Sequence, residues 1–208
     1  AHAKLSDKSR RDGMTGLLNR ETFFGVLDKS RRRSGRGSLL LVDADHFKSI
    51  NDRFGHLVGD KALLELVAAI SRSARDDDVI GRIGGEEFAV FLPGADIEET
   101  NRIGERIRRE VEAIRFVPAQ DGPLSLTVSV GGAVCWTGAS ISELMRAADR
   151  RLYQAKNAGR NRFVLDADGK SDEVVLDLGT GTGNAEMGHL ARMLDQRFDA
   201  TQALGQLE

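Results

Sequence analysis

The sequence predicts an α/β sandwich in which one mostly antiparallel sheet is covered by helices. Three observations predict it. Short apolar runs alternate with longer segments of helical periodicity, residues 38–42 form an apolar run that stops abruptly at Asp43, and two strand-like runs flank Gly84-Gly85-Glu86-Glu87 as the arms of a hairpin flank its turn. Counted along the chain, the strands and helices fall in the order βαββαβ, the order of a ferredoxin-like core with added helices.

Size and composition bound the rest. A chain of 208 residues with 40% hydrophobic content buries one good core, so a domain of about 150–170 residues plus ends is expected. We expect residues 1–10 to be a charged lead-in from an upstream sensor or linker, 11–166 to be the domain, and 167–208 to be a C-terminal extension. Thirty basic and 32 acidic residues leave a net charge of −2, which makes no field able to hold a nucleic acid backbone. The single Cys135 excludes an internal disulfide framework. No apolar run approaches a membrane span or a signal sequence, so a reducing cytoplasm is the expected home and no membrane contact is expected.

In chain order, residues 11–20 read as a turn cluster entering a helix, with Asp12 and Thr15 bonding nearby backbone N–H groups. The helix runs from about 21 to 33 and ends in a basic run and Gly35-Arg36-Gly37. The apolar run to Asp43 has the profile of a buried central strand with a functional carboxylate at its C-terminal edge. Residues 43–60 are dense in polar groups, and Gly55 and Gly59 are expected to break them into a short helix, a loop and the start of a second helix. In that second helix Leu63, Leu66, Val67, Ile70 and Ala74 recur at helical spacing. Asp60 is placed in its first turn, where capping would account for it. His46 and His56 read as hydrogen-bonded loop histidines, since no cysteine pattern near them points to zinc.

Arg75-Asp76-Asp77-Asp78 leads into the hairpin. Gly84-Gly85 is expected to be its tight turn, with positive φ and a bare surface for close approach, and Glu86 to open the return strand. A glycine surface beside an acid fits a nucleotide whose phosphates a divalent cation bridges. A helix from about 97 to 115 follows, with Ile103, Ile107, Val111 and Ile114 inward. Residues 124–134 are a β-rich run ending at Gly131-Gly132. The helix from about 141 to 157 lines up Leu144, Met145, Ala148, Leu152 and Ala155, and residues 163–165 form a last strand.

Taken together, the pieces from residue 11 to about 165 resemble the GGDEF domain of diguanylate cyclases, which condense two GTP into cyclic di-GMP. The resemblance rests on Gly84-Gly85-Glu86-Glu87-Phe88, with glutamate third, and on Asp43-Ala44-Asp45-His46-Phe47-Lys48, Asn51-Asp52, Gly55-His56, Gly59-Asp60 and residues 156–161, all in order. Met14 stands where the family usually has leucine. The resemblance implies Mg²⁺, with Mn²⁺ as its alternative, held by Asp43, Glu86 and the Ala44 carbonyl. It implies that Glu86 or Glu87 takes the proton, with Glu86 favoured. Lys48, Lys156, Arg160 and backbone N–H groups near Phe47 and Lys48 would meet the phosphates. Asn51 and Asp60 would read the guanine, with His56, Gly84 and Gly85 also around the nucleotide. It implies a homodimer, since one site holds one GTP. It also implies an inhibitory site for the product at Arg75 and Asp78, with Arg106 as a third contact; otherwise the turn is solvated and holds a local Arg75–Asp78 ion pair.

Competing readings are a silent relative that serves as a receptor for GTP or cyclic di-GMP, and an enzyme making another cyclic dinucleotide. Against the second, Asp60 offers only acceptors to guanine's N1–H and exocyclic amine, whereas adenine would set lone pairs against its charge. Residues 174–183 look like the strand and glycine loop of an S-adenosylmethionine-dependent methyltransferase, but a lone glycine motif is weak and too little chain follows. An amphipathic helix around 187–198 is expected in that tail.

Overall fold

The computed structural model describes residues 10–118, 122–136 and 138–165. The expectations for residues 1–9 and for the tail from 166, with its glycine motif and amphipathic helix, lie outside the described residues. The elements are β1 (Leu18–Asn19), α1 (Arg20–Ser34), β2 (Gly37–Ala44), α2 (Phe47–Phe54), α3 (His56–Ser73), β3 (Val79–Arg82), β4 (Glu87–Pro93), α4 (Ile97–Glu112), β5 (Val128–Val134), α5 (Ile141–Asn157) and β6 (Phe163–Leu165). They build one six-stranded sheet in the order β1-β3-β4-β2-β5-β6. The inner three pairings are antiparallel and the two outermost, β1 with β3 and β5 with β6, are parallel. The inner order β3-β4-β2-β5 is that of the ferredoxin-like unit the sequence predicts.

β2 is buried along its whole length because neighbours pair on both edges and helices cover both faces. Its residues alternate between two cores. Leu40, Val42 and Ala44 join the core under α2, α3 and α4, together with Leu66, Ile70, Ile103 and Ile107. Leu39 and Leu41 join the core under α1 and α5, together with Phe23, Leu27, Leu144 and Leu152. Asp43 continues the odd-numbered series and so faces the α5 side.

The helix ends obey local chemistry. Asn19 caps α1 through Thr22 N–H, Gly35 ends it in the left-handed region with φ 69°, and Asp96 caps α4. Ser140 and Glu143 form a reciprocal capping box at the start of α5.

Several expectations are corrected. β1 is a strand where a turn was expected; two residues carry no periodicity, and only pairing with β3 makes them one. β5 starts at Val128, since Leu124 makes only an isolated bridge to Phe116. α4 stops at Glu112, leaving Ile114 half-buried against the core beyond it. Gly59 does not break the chain: it lies buried inside α3, where its missing side chain makes room for the Asn51 amide and the Phe47 ring. The helix therefore begins at His56, and Asp60 sits past its first turn, so capping does not explain Asp60.

Gly131 sets how closely α5 can lie on the sheet. A Cβ there would run into the backbone of Ala148 and Leu152, with Leu152 Cα only 2.8 Å away. Gly131→Ala is therefore expected to lower the unfolding free energy by about 1–3 kcal/mol, because helix backbone cannot give way as a side chain can. Gly85→Ala, where a Cβ meets open space, should stay within about 0.5 kcal/mol of the parent. Urea denaturation of the two variants checks both values.

Candidate active site

The acid end of the sheet is assembled around Asp43. In the ladder it stands opposite Glu87 of β4 and Ser129 of β5. Lys156, in the last turn of α5, places Nζ 2.9 Å from Asp43 Oδ2. The charge of Arg160, just past that helix, also acts on Asp43. The sequence named Asp43, Glu87, and the pair Lys156 and Arg160 from three separate motifs, and the fold brings them together.

The glycine loop is wider than a two-residue turn. The last hairpin pair is Arg82 opposite Phe88, and β4 begins at Glu87, which leaves Glu86 in the loop and not on the return strand. Neither Gly84 nor Gly85 has positive φ. Gly84 instead leaves space for the Glu87 carboxylate folded over it, which a Cβ there would push aside. The loop is held through its carbonyls. Arg82 donates to Gly85 O from Nε at 3.1 Å and from Nη2 at 2.6 Å, Arg20 donates to Ile83 O at 3.0 Å, and the Ala44 N–H donates to Glu86 O at 3.2 Å. Arg82 is itself steadied by Asp12 Oδ1 at 3.0 Å, and Asp12 also accepts from the N–H and hydroxyl of Thr15 as the turn reading expected. Sequence reasoning missed the arginines because their targets are carbonyls, which leave no mark in a sequence.

Burial and like charges raise the acids of the site. Burial, then Asp43, pushes Glu87 up to about 7. Burial, then Asp43, also raises Glu86. Burial raises Asp43 against the pull of Lys156. Asp149 of α5, also missed from sequence, is pushed to about 6 by burial, with Lys156 opposing. It lies seven residues before Lys156, two helical turns away on the same face, and that spacing was the signal available.

Beside this cluster β2 passes into α2. His46 precedes the helix in the left-handed region with φ 56° and gives it no side-chain cap. The first N–H groups of α2, near buried Phe47 and exposed Lys48, therefore face an anion site in character. Asn51 packs its amide on Gly59, next to exposed Asp60. His56 is exposed at the start of α3.

Asp45 is buried two residues beyond Asp43. Its carboxylate accepts from Ser129 Oγ at 2.7 Å, Thr127 Oγ1 at 2.8 Å and the Asn161 N–H at 3.0 Å. Gly159, Arg160 and Asn161 have φ of 110°, 60° and 45°. For Arg160 such a conformation costs about 1–2 kcal/mol, whereas asparagine tolerates it.

The motif before the hairpin forms a separate cluster. The Asp78 carboxylate accepts from the Arg75 N–H at 2.7 Å. The Arg75 guanidinium pairs with Glu99 and not with Asp78, which corrects the local ion pair. Arg106 donates to Ser73 O and acts on Asp78 by charge. Burial nonetheless holds Asp78 above the ordinary carboxylate range. Asp76, Asp77 and Asp78 border a cavity of about 550 Å³ shared with Arg11, Lys29 and Arg33, away from the acid end.

The donor chemistry at the acid end fits a hard divalent cation: carboxylates whose mutual repulsion a cation would relieve, with no sulfur or imidazole among them. Among the described residues no group of three or more His, Cys, Asp and Glu side chains is placed to hold a metal unaided. Backbone and ligand oxygens must then complete the shell. The raised carboxyls have a testable sign. Protons on Glu87 compete with a cation, so affinity for Mg²⁺ should rise with pH through about 7 and level off above it. The metal-free protein should behave oppositely. A carboxyl whose folded value lies above its ordinary 4.5 destabilises at high pH, and stability returns as pH falls from about 8 toward 4.5. Calorimetric titration at pH 6 and 8, with melting curves in chelator at the same pH values, checks both signs.

The family description "Diguanylate cyclase, GGDEF domain" matches residues 9–162. Diguanylate cyclase DgcP of Pseudomonas aeruginosa is 39% identical over 171 residues, which cover 79% of this chain and 25% of that protein. Response regulator PleD of Caulobacter vibrioides is 40% identical over 159 residues, covering 74% of this chain and 35% of that one. This chain thus spans well under half the length of these curated relatives. Among solved structures, the coiled coil and GGDEF domain of DgcB from Caulobacter crescentus, in complex with c-di-GMP, superimposes with a TM-score of 0.74 at 31% identity, covering 78% of this chain and 88% of that one. With the acid end, the glycine loop and the ferredoxin-like sheet all in place, the chain belongs to the GGDEF diguanylate cyclase domain family.

Proposed function

We propose that two copies of this domain face each other, each presenting one GTP, and condense the pair into cyclic di-GMP with release of two pyrophosphates. The observation that carries this reading is the meeting of Asp43, Glu86, Glu87 and Lys156 beside the uncapped start of α2. Acids for a cation and a proton thus lie next to cations and N–H groups for a triphosphate. Positioning and charge are most of what phosphoryl transfer asks of a protein.

Each residue then has a role in the reaction. Asp43, Glu86 and the Ala44 carbonyl would hold Mg²⁺, or Mn²⁺ in its place, which supplies neutralisation of the triphosphate and a lower pKa for the attacking hydroxyl. Lys156 and Arg160 grip the β- and γ-phosphates together with Lys48 and the N–H groups of Phe47 and Lys48. Asn51 and Asp60 read the guanine edge, with Asp60 accepting from N1–H and the exocyclic amine, and His56 stands at the same helix start. Gly84 and Gly85 let the nucleotide lie against the loop. The 3′-hydroxyl of one GTP attacks the α-phosphate of the other, the bond to pyrophosphate breaks, and the proton passes to a glutamate. Glu86, less buried and in the loop, is the favoured acceptor. Glu87, near neutrality and beneath it, is the reserve. Glutamate in the third position makes this the GGEEF variant of the signature.

We assign the second cluster to product feedback. Arg75 can stack on guanine and fork onto phosphate while Asp78 reads a base edge, with Arg106 beside them. Binding would require Arg75 to exchange Glu99 for the ligand, at little cost for a partly exposed pair.

Glu86→Gln should fold as the parent and lose about 10²–10⁴-fold in turnover. Incubating a dimeric form with GTP and Mg²⁺, and identifying the product by mass, tests the cyclase reading itself. GTP binding without turnover would instead favour a receptor. Arg75→Ala should abolish calorimetric binding of cyclic di-GMP outside the active site and relieve inhibition by product. Unchanged binding would remove the second cluster from regulation.

A further inference from the structure

Asp45 has no assigned role, yet it is among the few buried charged side chains of the domain. Each of its three hydrogen bonds comes from a neutral donor: two hydroxyls of β5 and its approach, and the N–H of Asn161, 116 residues along the chain. That N–H belongs to the only stretch of the described residues in which two successive residues other than glycine have positive φ. Arg160 is the first of the two. Its conformation is set on both sides: its own N–H donates to Ala155 O at 3.0 Å, ending α5, and the next N–H goes to Asp45. The Asn161 side chain is pinned as well, donating to Glu112 at 2.6 Å and accepting from Arg108 at 3.1 Å. Directly after it, Val130 N–H bonds Arg162 O at 2.8 Å and carries the chain into β6.

We infer that Asp45 is a positioning residue for phosphate binding: its carboxylate clamps the Arg160–Asn161 backbone in the left-handed conformation and so aims the Arg160 guanidinium at the triphosphate. The inference rests on the proposed role of Arg160. A buried carboxylate suits the task because it is acceptor-only, with room for several donors converging from β5, its approach and a loop. It also lies two residues from Asp43, so the strand that carries one end of the site registers the loop that carries the other. Without the clamp, the peptide between Arg160 and Asn161 loses the bond that fixes it, and Arg160 would relax toward negative φ, turning the guanidinium away while α5 still holds Lys156 on Asp43.

The test compares binding of GTP and of GMP by calorimetry in the full chain, with the fold of each variant checked by melting. Arg160→Ala sets the reference, expected to lose about 10–100-fold in GTP affinity and little for GMP. Asp45→Ala should match that loss. If it fails to fold, Asp45→Ser carries the comparison, since its hydroxyl keeps a polar group in place but is one bond too short to reach the Asn161 N–H that Oδ2 reaches. Combining either with Arg160→Ala should cost nothing further, because both act through one contact. Asp45→Asn, whose Oδ1 can still accept from Asn161 while its amide donates to Ser129, should recover most of the GTP affinity. Additive losses in the double variant, equal losses for GTP and GMP, or unchanged GTP affinity in Asp45→Ala or Asp45→Ser would overturn the proposal. If the parent binds GTP no better than GMP, the phosphate role of Arg160 fails first, and the Asp45 proposal with it.

Discussion

The site depends on how closely α5 lies on β5. Because Gly131 lacks a side chain, the helix backbone rests directly on the strand, and only at that depth does Lys156 reach Asp43 on the neighbouring strand. Tight backbone packing cannot be improvised by side-chain rearrangement, so it transmits position faithfully. The same close packing recurs where Gly81 accommodates Phe23 of α1 and where Gly104 accommodates Phe163 of β6. These contacts fix the layers on both faces of the sheet and leave its acid end as the place where β2, the glycine loop, α2 and α5 converge.

What converges there is electrostatically unfavourable. Asp43, Glu86, Glu87 and Asp149 all titrate above their ordinary range, and burial is the first cause in each. Lys156 offsets part of this, with Arg160 acting on Asp43 and Arg150 on Asp149, but burial outweighs them. Such an arrangement is destabilising for a fold and useful for a site, because the stored repulsion is released when positive charge arrives. Backbone bonds hold the loop that carries Glu86. Arg20 and Arg82 donate to its carbonyls and keep it in shape, and Arg82 also pairs with Asp12.

Much of this was legible in the sequence. The apolar run ending at Asp43, the helical faces of α3, α4 and α5, the hairpin and the last strand are local patterns, and local patterns follow from a residue's nearest neighbours along the chain. The motif residues could be named for the same reason: their chemistry resides in the side-chain types, and their order along the chain identifies the family. Asp43, Glu86, Glu87, Lys156 and Arg160 were each named as candidates from the string of residues alone.

Tertiary structure decided the rest, because the deciding partners are far apart in sequence or are backbone atoms. Gly59 looked like a helix breaker until Asn51 and Phe47 were seen to need its space. Arg75 looked like a partner for Asp78 until α4 brought Glu99 to it. β1 has no identity without β3. The near-neutral titration of Glu87 belongs chiefly to its burial and to Asp43 across the sheet, with a smaller part from Glu86 beside it. The sequence by itself determined the motif residues of the site and most of the elements that carry them. Only the folded chain decided how near those groups stand and what holds them there, since proximity across a sheet is a property of packing and not of order along the chain.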